Sequence, residues 1–481
     1  MKRFFLMMTM AAAALTAEAG GLMTNTNYHI AFDRMFARGA TTEIDAAYSN
    51  PAGLAWGHEG WQLSLNFQKP WQNRDIETKV PNFLANPASS YPGVNIDHKY
   101  NGKASAPIVP ALFASYKHQR WAVSTMIGIV GSGGFVEYDE GIPMFNLMAM
   151  GKIFEKATVT PDKYGIDSEV KGKQYIYGGQ VNFTYKVTDC LSAAIGLRAN
   201  YYDGYNRGYV TATTWPALGG VQLMDLQLDV TQRGWGVAPI VSVDFHKGPL
   251  TLAARYEFRT KINTTNDTKA LSVTMGGQKT DIKAMAEQYG NAATLSGLSA
   301  SMGEAMASKI KDFMPDEDVR YDMPSLLVVA AQYAITPKLR AAAEYHFYDD
   351  KNAKMANNRQ EDLEHGTHEI LLGAEYDINK RVTVSLGGQR TDYGLSDKYQ
   401  THTSFACDSY SLGCGAAINL SERMRLNVSY FCTLYSDYTC EYNAKLVDGN
   451  MVGGYLNTPY SGADTFSRTN HVIGVGIDYK F

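Results

Sequence analysis

Residues 471–481 read HVIGVGIDYKF. Ile473, Val475, Ile477, Tyr479 and Phe481 fall on one face, and Gly474, Gly476, Asp478 and Lys480 on the other. Successive side chains of a strand point to opposite sides, so this is a strand apolar on one face and small or polar on the other. The same period recurs upstream. Met424, Leu426, Val428, Tyr430, Cys432 and Leu434 alternate with Arg425, Asn427, Ser429, Phe431, Thr433 and Tyr435. Leu250, Leu252, Ala254, Tyr256 and Phe258 alternate with Thr251, Ala253, Arg255, Glu257 and Arg259. From about residue 60 onward the period is two, not 3.6.

The spacing of these strands separates two all-β architectures. Tight turns fall near Arg120, Asp189, Gly248, Pro337, Lys380 and Glu422, and between them lie long connections at about 71–106, 131–171, 206–225, 264–318, 351–364, 394–402 and 441–467. Short and long alternate without a break, as in an outer-membrane barrel with tight periplasmic turns and long outside loops. A soluble sandwich has no reason for that asymmetry. Segments starting near 60, 107, 120, 173, 189, 226, 249, 319, 338, 366, 381, 403, 423 and 469 predict a transmembrane antiparallel β-barrel of about 14 strands. Closure with an even number puts both termini on the periplasmic side.

Composition agrees. The 481 residues carry a formal charge of −4, and charged residues make up 19%, below the quarter usual in soluble domains. Tyr (31), Phe (19) and Trp (6) are plentiful enough to furnish interfacial belts. The balance excludes a disordered chain or a basic nucleic-acid binder. Beyond the N-terminus no uncharged apolar run nears the roughly 20 residues a spanning helix needs.

Residues 1–19, MKRFFLMMTMAAAALTAEA, read as an export signal: Lys2 and Arg3, an apolar run from Phe4 to Ala14, then Ala17-Glu18-Ala19 as a small-x-small cleavage site. The five cysteines (Cys190, Cys407, Cys414, Cys432 and Cys440) match no metal-site spacing. A bridge between Cys407 and Cys440 stays open in an oxidising compartment, against burial as small apolar side chains.

Residues 20–59 lack alternation and are rich in small residues, and the lumen is the nearest place to pack them. Within them, Arg34, Phe36-Ala37, Gly39-Ala40, Ala46, Tyr48 and Asn50-Pro51-Ala52-Gly53-Leu54 resemble the hatch signature of the FadL/TodX family. Stretches such as LTLAARYEFRTKI, DMPSLLVVAAQYAI and EILLGAEYDINKRVTVSLGGQR resemble that family's strands, so the likeness spans the mature chain. It implies a signal at 1–19, a hatch at 20–59 plugging the lumen, and a monomeric barrel over 60–481. It further implies passive outer-membrane transport of long-chain fatty acids or other hydrophobic compounds in a Gram-negative bacterium, among lipid and lipopolysaccharide. Hatch movement would gate a lateral exit at a kink of the third strand. Gly131, Gly133 and Gly134, after RWAVSTMIGIV, are the candidates for that opening; an ordinary loop beginning is the alternative.

Candidate ligand contacts are few. Parity points Arg198 and Arg255 inward, where a guanidinium could bind a carboxylate, with internal ion pairing as the competing role. Leu295, Leu298, Met302 and Met306 recur at three and four residues, one helical stripe on an outside loop that would form either rim packing or a groove wall for apolar solutes. Residues 142–154, IPMFNLMAMGKIF, would form the opposing wall. No serine elbow, HExxH pair or phosphate loop is present, so the sequence predicts no catalytic residue, metal or cofactor. A general porin for polar solutes competes with this reading but conflicts with a plug of 40 residues, and an adhesin or structural barrel would carry more polar loops.

Overall fold

A computed structural model describes residues 28–85, 91–106, 108–281, 283–284, 287, 313–443, 445–447, 450–452 and 460–481. The barrel is closed and antiparallel, with 14 strands. In chain order they are β1 (Gly60–Phe83), β2 (Val94–Ser105 and Val109–His118), β3 (Trp121–Tyr138), β4 (Tyr164–Lys186) and β5 (Leu191–Thr214). Next come β6 (Gln222–Lys247), β7 (Leu250–Glu257 and Asn263–Met275), β8 (Asp318–Arg320 and Leu326–Ala334), β9 (Leu339–Tyr348) and β10 (Thr367–Asp377). The last four are β11 (Val382–Asp392), β12 (Ser409–Asn419), β13 (Met424–Tyr435 and Tyr438–Tyr442) and β14 (Gly462–Lys480).

Side-chain alternation explains both surfaces. Leu63, Leu65 and Phe67 of β1, Ile195 and Leu197 of β5, and Ile473, Val475 and Ile477 of β14 face outward and exposed. Their neighbours Ser64, Asn66, Gln180, Asn182 and Thr184 are buried inside. That is the pattern a strand needs with lipid on one side and a polar lumen on the other. The long connections are shorter than the sequence suggests, because several strands continue past the membrane. About 10 residues cross a bilayer, whereas β1, β4, β5 and β6 have 24, 23, 24 and 26. In QNRDIETKVPNF, the part of β1 beyond Trp71, both faces carry polar residues, so the signal fades where the strand does not.

β14 closes the sheet by pairing with β1 from Gln62↔Lys480 to Lys79↔Ala463. Phe481 adds one bond beyond that ladder, its N–H donating to the Trp61 carbonyl at 3.0 Å, while its ring is 65% exposed. That bond and the edge-on contact of the Phe481 ring with Tyr479, 4.8 Å between centroids, extend the seam that closes the barrel. Deleting Phe481 should therefore lower the yield of heat-modifiable barrel severalfold, measured by gel migration. Wild-type yield would refute this.

Between Tyr28 and Ala55, every residue except Thr42 and Glu43 is buried, because this stretch fills the lumen. It contains α1 (Ile30–Met35), α2 (Ala46–Ser49) and a 3-10 turn at Pro51–Trp56. A longer helix, α3 (Pro143–Ala157), lies at the long-loop end of the barrel, with Pro143 at a first-turn position where a missing N–H costs nothing. Its Ile142–Ile153 side packs into an apolar cluster with Ile76, Tyr138, Phe405 and Phe466. Cys407 and Cys440 belong to that cluster as free, buried thiols, so the bridge between them is not formed.

Candidate functional site: a plugged lumen and a break in its wall

The hatch is held by side chains that the strand period points inward. Asn50 donates to Asp244 of β6 at 2.6 Å, and Trp56 Nε1 donates to the same carboxylate at 2.8 Å. The Ala52 N–H donates to Ser242 at 2.9 Å, Thr184 donates to the Pro51 carbonyl at 2.7 Å, and Ser192 donates to the Ala52 carbonyl at 2.8 Å. A Cβ on Gly53 would collide with the Thr41 carbonyl and the Asn50 amide, so only glycine fits there. The Asn50-Pro51-Ala52-Gly53 segment is thus a set of backbone groups matched to β4, β5 and β6.

Glycines of the wall receive the other side of the hatch. A Cβ at Gly387 or Gly373 would strike the Met35 carbonyl, and one at Gly413 would strike the Asp33 carbonyl. At Gly474 and Gly476 of β14 a Cβ would lie 2.6 and 3.0 Å from Ile30. The small face of the last strand is therefore the seat of α1.

An ionic latch fixes the side of the hatch toward the tight turns. Arg38 binds Asp45 at 2.6 Å and Glu43 at 2.9 Å within the hatch, and Glu43 reaches Arg425 of β13 at 2.6 Å. Glu375 of β10 accepts from Arg34, from Arg340 at 2.7 Å and faces Arg38 at 3.5 Å. Burial opposes the Arg38 charge, but Asp45, Glu43 and Glu375 outweigh it and hold its pKa above the ordinary arginine value. Burial likewise works to raise Glu43, and Arg425 and Arg38 outweigh it, leaving the carboxyl well below 4.5 although 41% of it is exposed. Glu43 is therefore ionised, and its share of the latch is lost only when pH falls through that depressed value.

Arg198 and Arg255 both lie against the hatch. Their guanidinium groups sit 5.3 and 5.0 Å from the Tyr48 ring, and Arg255 donates to the Tyr48 carbonyl at 2.7 Å. Arg198 is ion-paired with Glu257, and Glu344 binds the Gly39 N–H at 2.6 Å and His346 at 2.5 Å. A ligand reaches the two arginines only where the hatch gives way. The sequence reading did not single out Glu375, Arg425 and Asp244; their inward parity was the available signal.

The third strand is broken in register. Against β4, bulges fall between Ile129 and Gly131 and between Ser132 and Gly134. Against β2, the ladder stops at Ala111↔Gly128 and resumes at Ser105↔Phe135, so among the described residues 129–134 have no ladder partner in β2. Gly134 adopts φ +75°, which favours glycine, and its N–H is bound by the Ser132 hydroxyl at 2.8 Å. Gly131, Gly133 and Gly134 all lie in this interval. Inside it, Met126, Val130, Ile176 and Tyr202 form an apolar cluster with Ala46, Ala47, Tyr48 and Leu54 of the hatch. The stripe of Leu295, Leu298, Met302 and Met306 lies outside the described residues.

Below the hatch opens a cavity of about 940 Å³ at the tight-turn end of the barrel, lined by Glu43, His58, Arg340, Asp377, Lys380, Arg423, Arg425 and Lys480 among others. At the other end, Glu137, Asp139 and Glu169 come within 4.8 Å of one another, but Lys171 pairs with Glu137 and Glu169 at 2.7 Å each.

Comparisons with known proteins agree with this architecture. Residues 226–395 match the family described as Gram-negative porin. A search of curated proteins by sequence found no match. Among solved structures, a Pseudomonas aeruginosa FadL homologue superposes with a TM-score of 0.64 at 13% identity, covering 96% of this chain and 99% of that one. The P. putida toluene transporter TodX gives 0.54 at 12% identity, covering 92% and 97%. A deltaS2 mutant of the TodX monoaromatic hydrocarbon channel gives 0.57 at 11%, covering 97% and 99%. At these identities what is shared is the fold, a hatch-plugged outer-membrane-type barrel.

Proposed function

We propose that this chain is a FadL/TodX-type outer-membrane channel. It passes long-chain fatty acids or other hydrophobic compounds by diffusion, gated by the hatch and released sideways through the wall at residues 129–134. One observation carries the reading: the interruption between β2 and β3 backs directly onto the apolar lumen cluster. A solute leaving there meets Met126, Val130 and then membrane hydrocarbon. A solute leaving downward meets the charged cavity under the hatch, where an apolar surface gains nothing from burial. The stripe at Leu295, Leu298, Met302 and Met306 would make first contact outside, and burying four methylenes there contributes roughly 3 kcal/mol.

Deleting Gly133 removes one bulge and lets β3 approach a regular ladder with its neighbours. Uptake of labelled oleate and of toluene should fall about tenfold or more at equal surface abundance, since restored strand pairing closes that interruption. Unchanged uptake of both would overturn lateral release. A porin for polar solutes would instead swell sugar-loaded liposomes, and such swelling by the intact protein would favour that second reading.

A further inference from the structure

The cavity under the hatch is basic in an acidic protein. The chain carries a formal charge of −4, yet six Lys and Arg side chains line this cavity against four Asp and Glu. Three of those carboxylates are already engaged. Asp377 pairs with Arg340 at 3.1 Å, Asp478 with His29 at 3.0 Å, and Glu43 with Arg425 at 2.6 Å. Lys338, Lys380, Arg423 and Lys480 are exposed, and among the described residues none of them has an ion-pair partner.

The sheet sets the spacing of these cations. Lys338 sits in the turn after β8, Lys380 in the turn after β10, Arg423 in the turn after β12, and Lys480 at the end of β14. Neighbouring strands lie about 4.8 Å apart, so cations two strands apart stand about 10 Å from one another. A single phosphate or carboxylate does not span that interval, whereas an extended chain covers it in about three residues. Deeper in, the cavity already holds a carboxylate. Glu43 accepts from Arg425 at 2.6 Å and from Arg38 at 2.9 Å, and 41% of its side chain is exposed. Arg425 reaches it through Nη1, and its buried Nε has no hydrogen-bond partner. A second carboxylate entering the cavity meets the same guanidinium with donors to spare.

We propose that this basic mouth docks an extended acidic segment of a soluble protein on the tight-turn side, and that its carboxylates compete with Glu43 for Arg425. Clustered arginines and lysines recognise acidic segments in this way, and opposite charge also speeds the encounter. Glu43 ties Arg38 of the hatch to Arg425 of the wall, so its displacement cuts one bond of the latch. Docking therefore loosens the hatch from below. Lipid headgroups outside the wall reach the turns, but Arg340 and Arg425 line the cavity inside it. This inference goes beyond the transport reading and does not depend on which solute passes.

The test uses the full-length protein in phosphatidylcholine nanodiscs, titrated with a fluorescent hexaglutamate peptide and with hexaglutamine. Hexaglutamate should bind, hexaglutamine should not, and the affinity should fall steeply between about 50 and 300 mM salt. Lys380→Gln combined with Arg423→Gln should weaken hexaglutamate about tenfold. Glu43→Gln, which frees Arg425, should tighten it severalfold. Heat-modifiable migration reports that each variant is folded. In planar bilayers hexaglutamate should raise the opening frequency of the intact channel, and hexaglutamine should not. Equal binding of the two peptides, or no loss in the double variant, would overturn the docking site. Unchanged affinity in Glu43→Gln, or unchanged opening with bound peptide, would overturn the competition with Glu43. Displacement by millimolar inorganic phosphate would reduce the mouth to a site for simple anions. Loss of peptide binding on adding phosphatidylglycerol to the nanodiscs would assign the cations to lipid headgroups. Either result would overturn the proposal.

Discussion

Removing residues 20–50 should raise single-channel conductance in planar bilayers by roughly tenfold or more, because an unplugged barrel of this size holds an aqueous pore. The hatch has almost no surface of its own exposed between Tyr28 and Ala55, which is what a plug in contact with the wall all round requires. The wall it covers is polar: Gln62, Ser64, Asn66, Gln180, Asn182, Thr184 and Asp244 all point inward. Once uncovered, these groups hydrate readily and line a path for ions. The barrel itself should survive, since the β1–β14 closure involves no hatch residue and keeps its full ladder. Heat-modifiable migration checks that the truncated protein is folded. Equal conductance of full-length and truncated proteins would mean that the hatch does not seal the lumen.

The sequence made the barrel legible because the lipid-facing rows are unambiguous. In HVIGVGIDYKF one face could only be apolar, and its partner rows in β13 and β1 repeat the demand. It was less informative above the membrane, where β1 and β2 extend as Gly60–Phe83 and Val94–Ser105 without clean alternation, since neither face there is committed to lipid. The hatch was legible as an exception to the period, and Asn50-Pro51-Ala52-Gly53 as its most specific segment. Its docking was not, because the partners are spread over the chain. Asp244 lies 194 residues from Asn50, and Glu375 lies 341 from Arg34. Parity identifies such wall carboxylates as inward but does not say which hatch residue each one meets. The wall glycines carried an unread signal. Gly387, Gly413 and Gly474 recur on the inner face, and a strand interior that gives up side chains there makes room for another backbone. The broken register of β3 was half legible: Gly131, Gly133 and Gly134 indicated a disturbance, whereas the missing ladder to β2 emerges only from pairing.

Glu375→Gln should release the hatch from its seat while leaving the barrel intact. Glu375 is buried, and its carboxylate is the wall's counter-charge to Arg34 and Arg340, with Arg38 at 3.5 Å. Glutamine keeps the size and one acceptor but removes the charge, so three guanidinium groups remain close together without their shared anion. Removing one partner of a buried ion network costs on the order of 3–5 kcal/mol, because the charges left behind stay desolvated. A displacement of that size is large against the few hydrogen bonds that hold α1, and it acts only on the docked state. The expected result is frequent channel opening in bilayers and faster trypsin cleavage at Arg34 and Arg38, with unchanged heat-modifiable migration. Asp377→Asn is the matched control. Asp377 touches only Arg340 of this group, at 3.1 Å, and is partly exposed at the rim, where an ion pair contributes about 0–1 kcal/mol. Salt separates the two further, since a buried network is screened much less than a rim pair. If Glu375→Gln opens and digests no faster than Asp377→Asn, the latch does not hold the hatch, and the hydrogen bonds of Asn50 and Trp56 to Asp244 carry the docking instead.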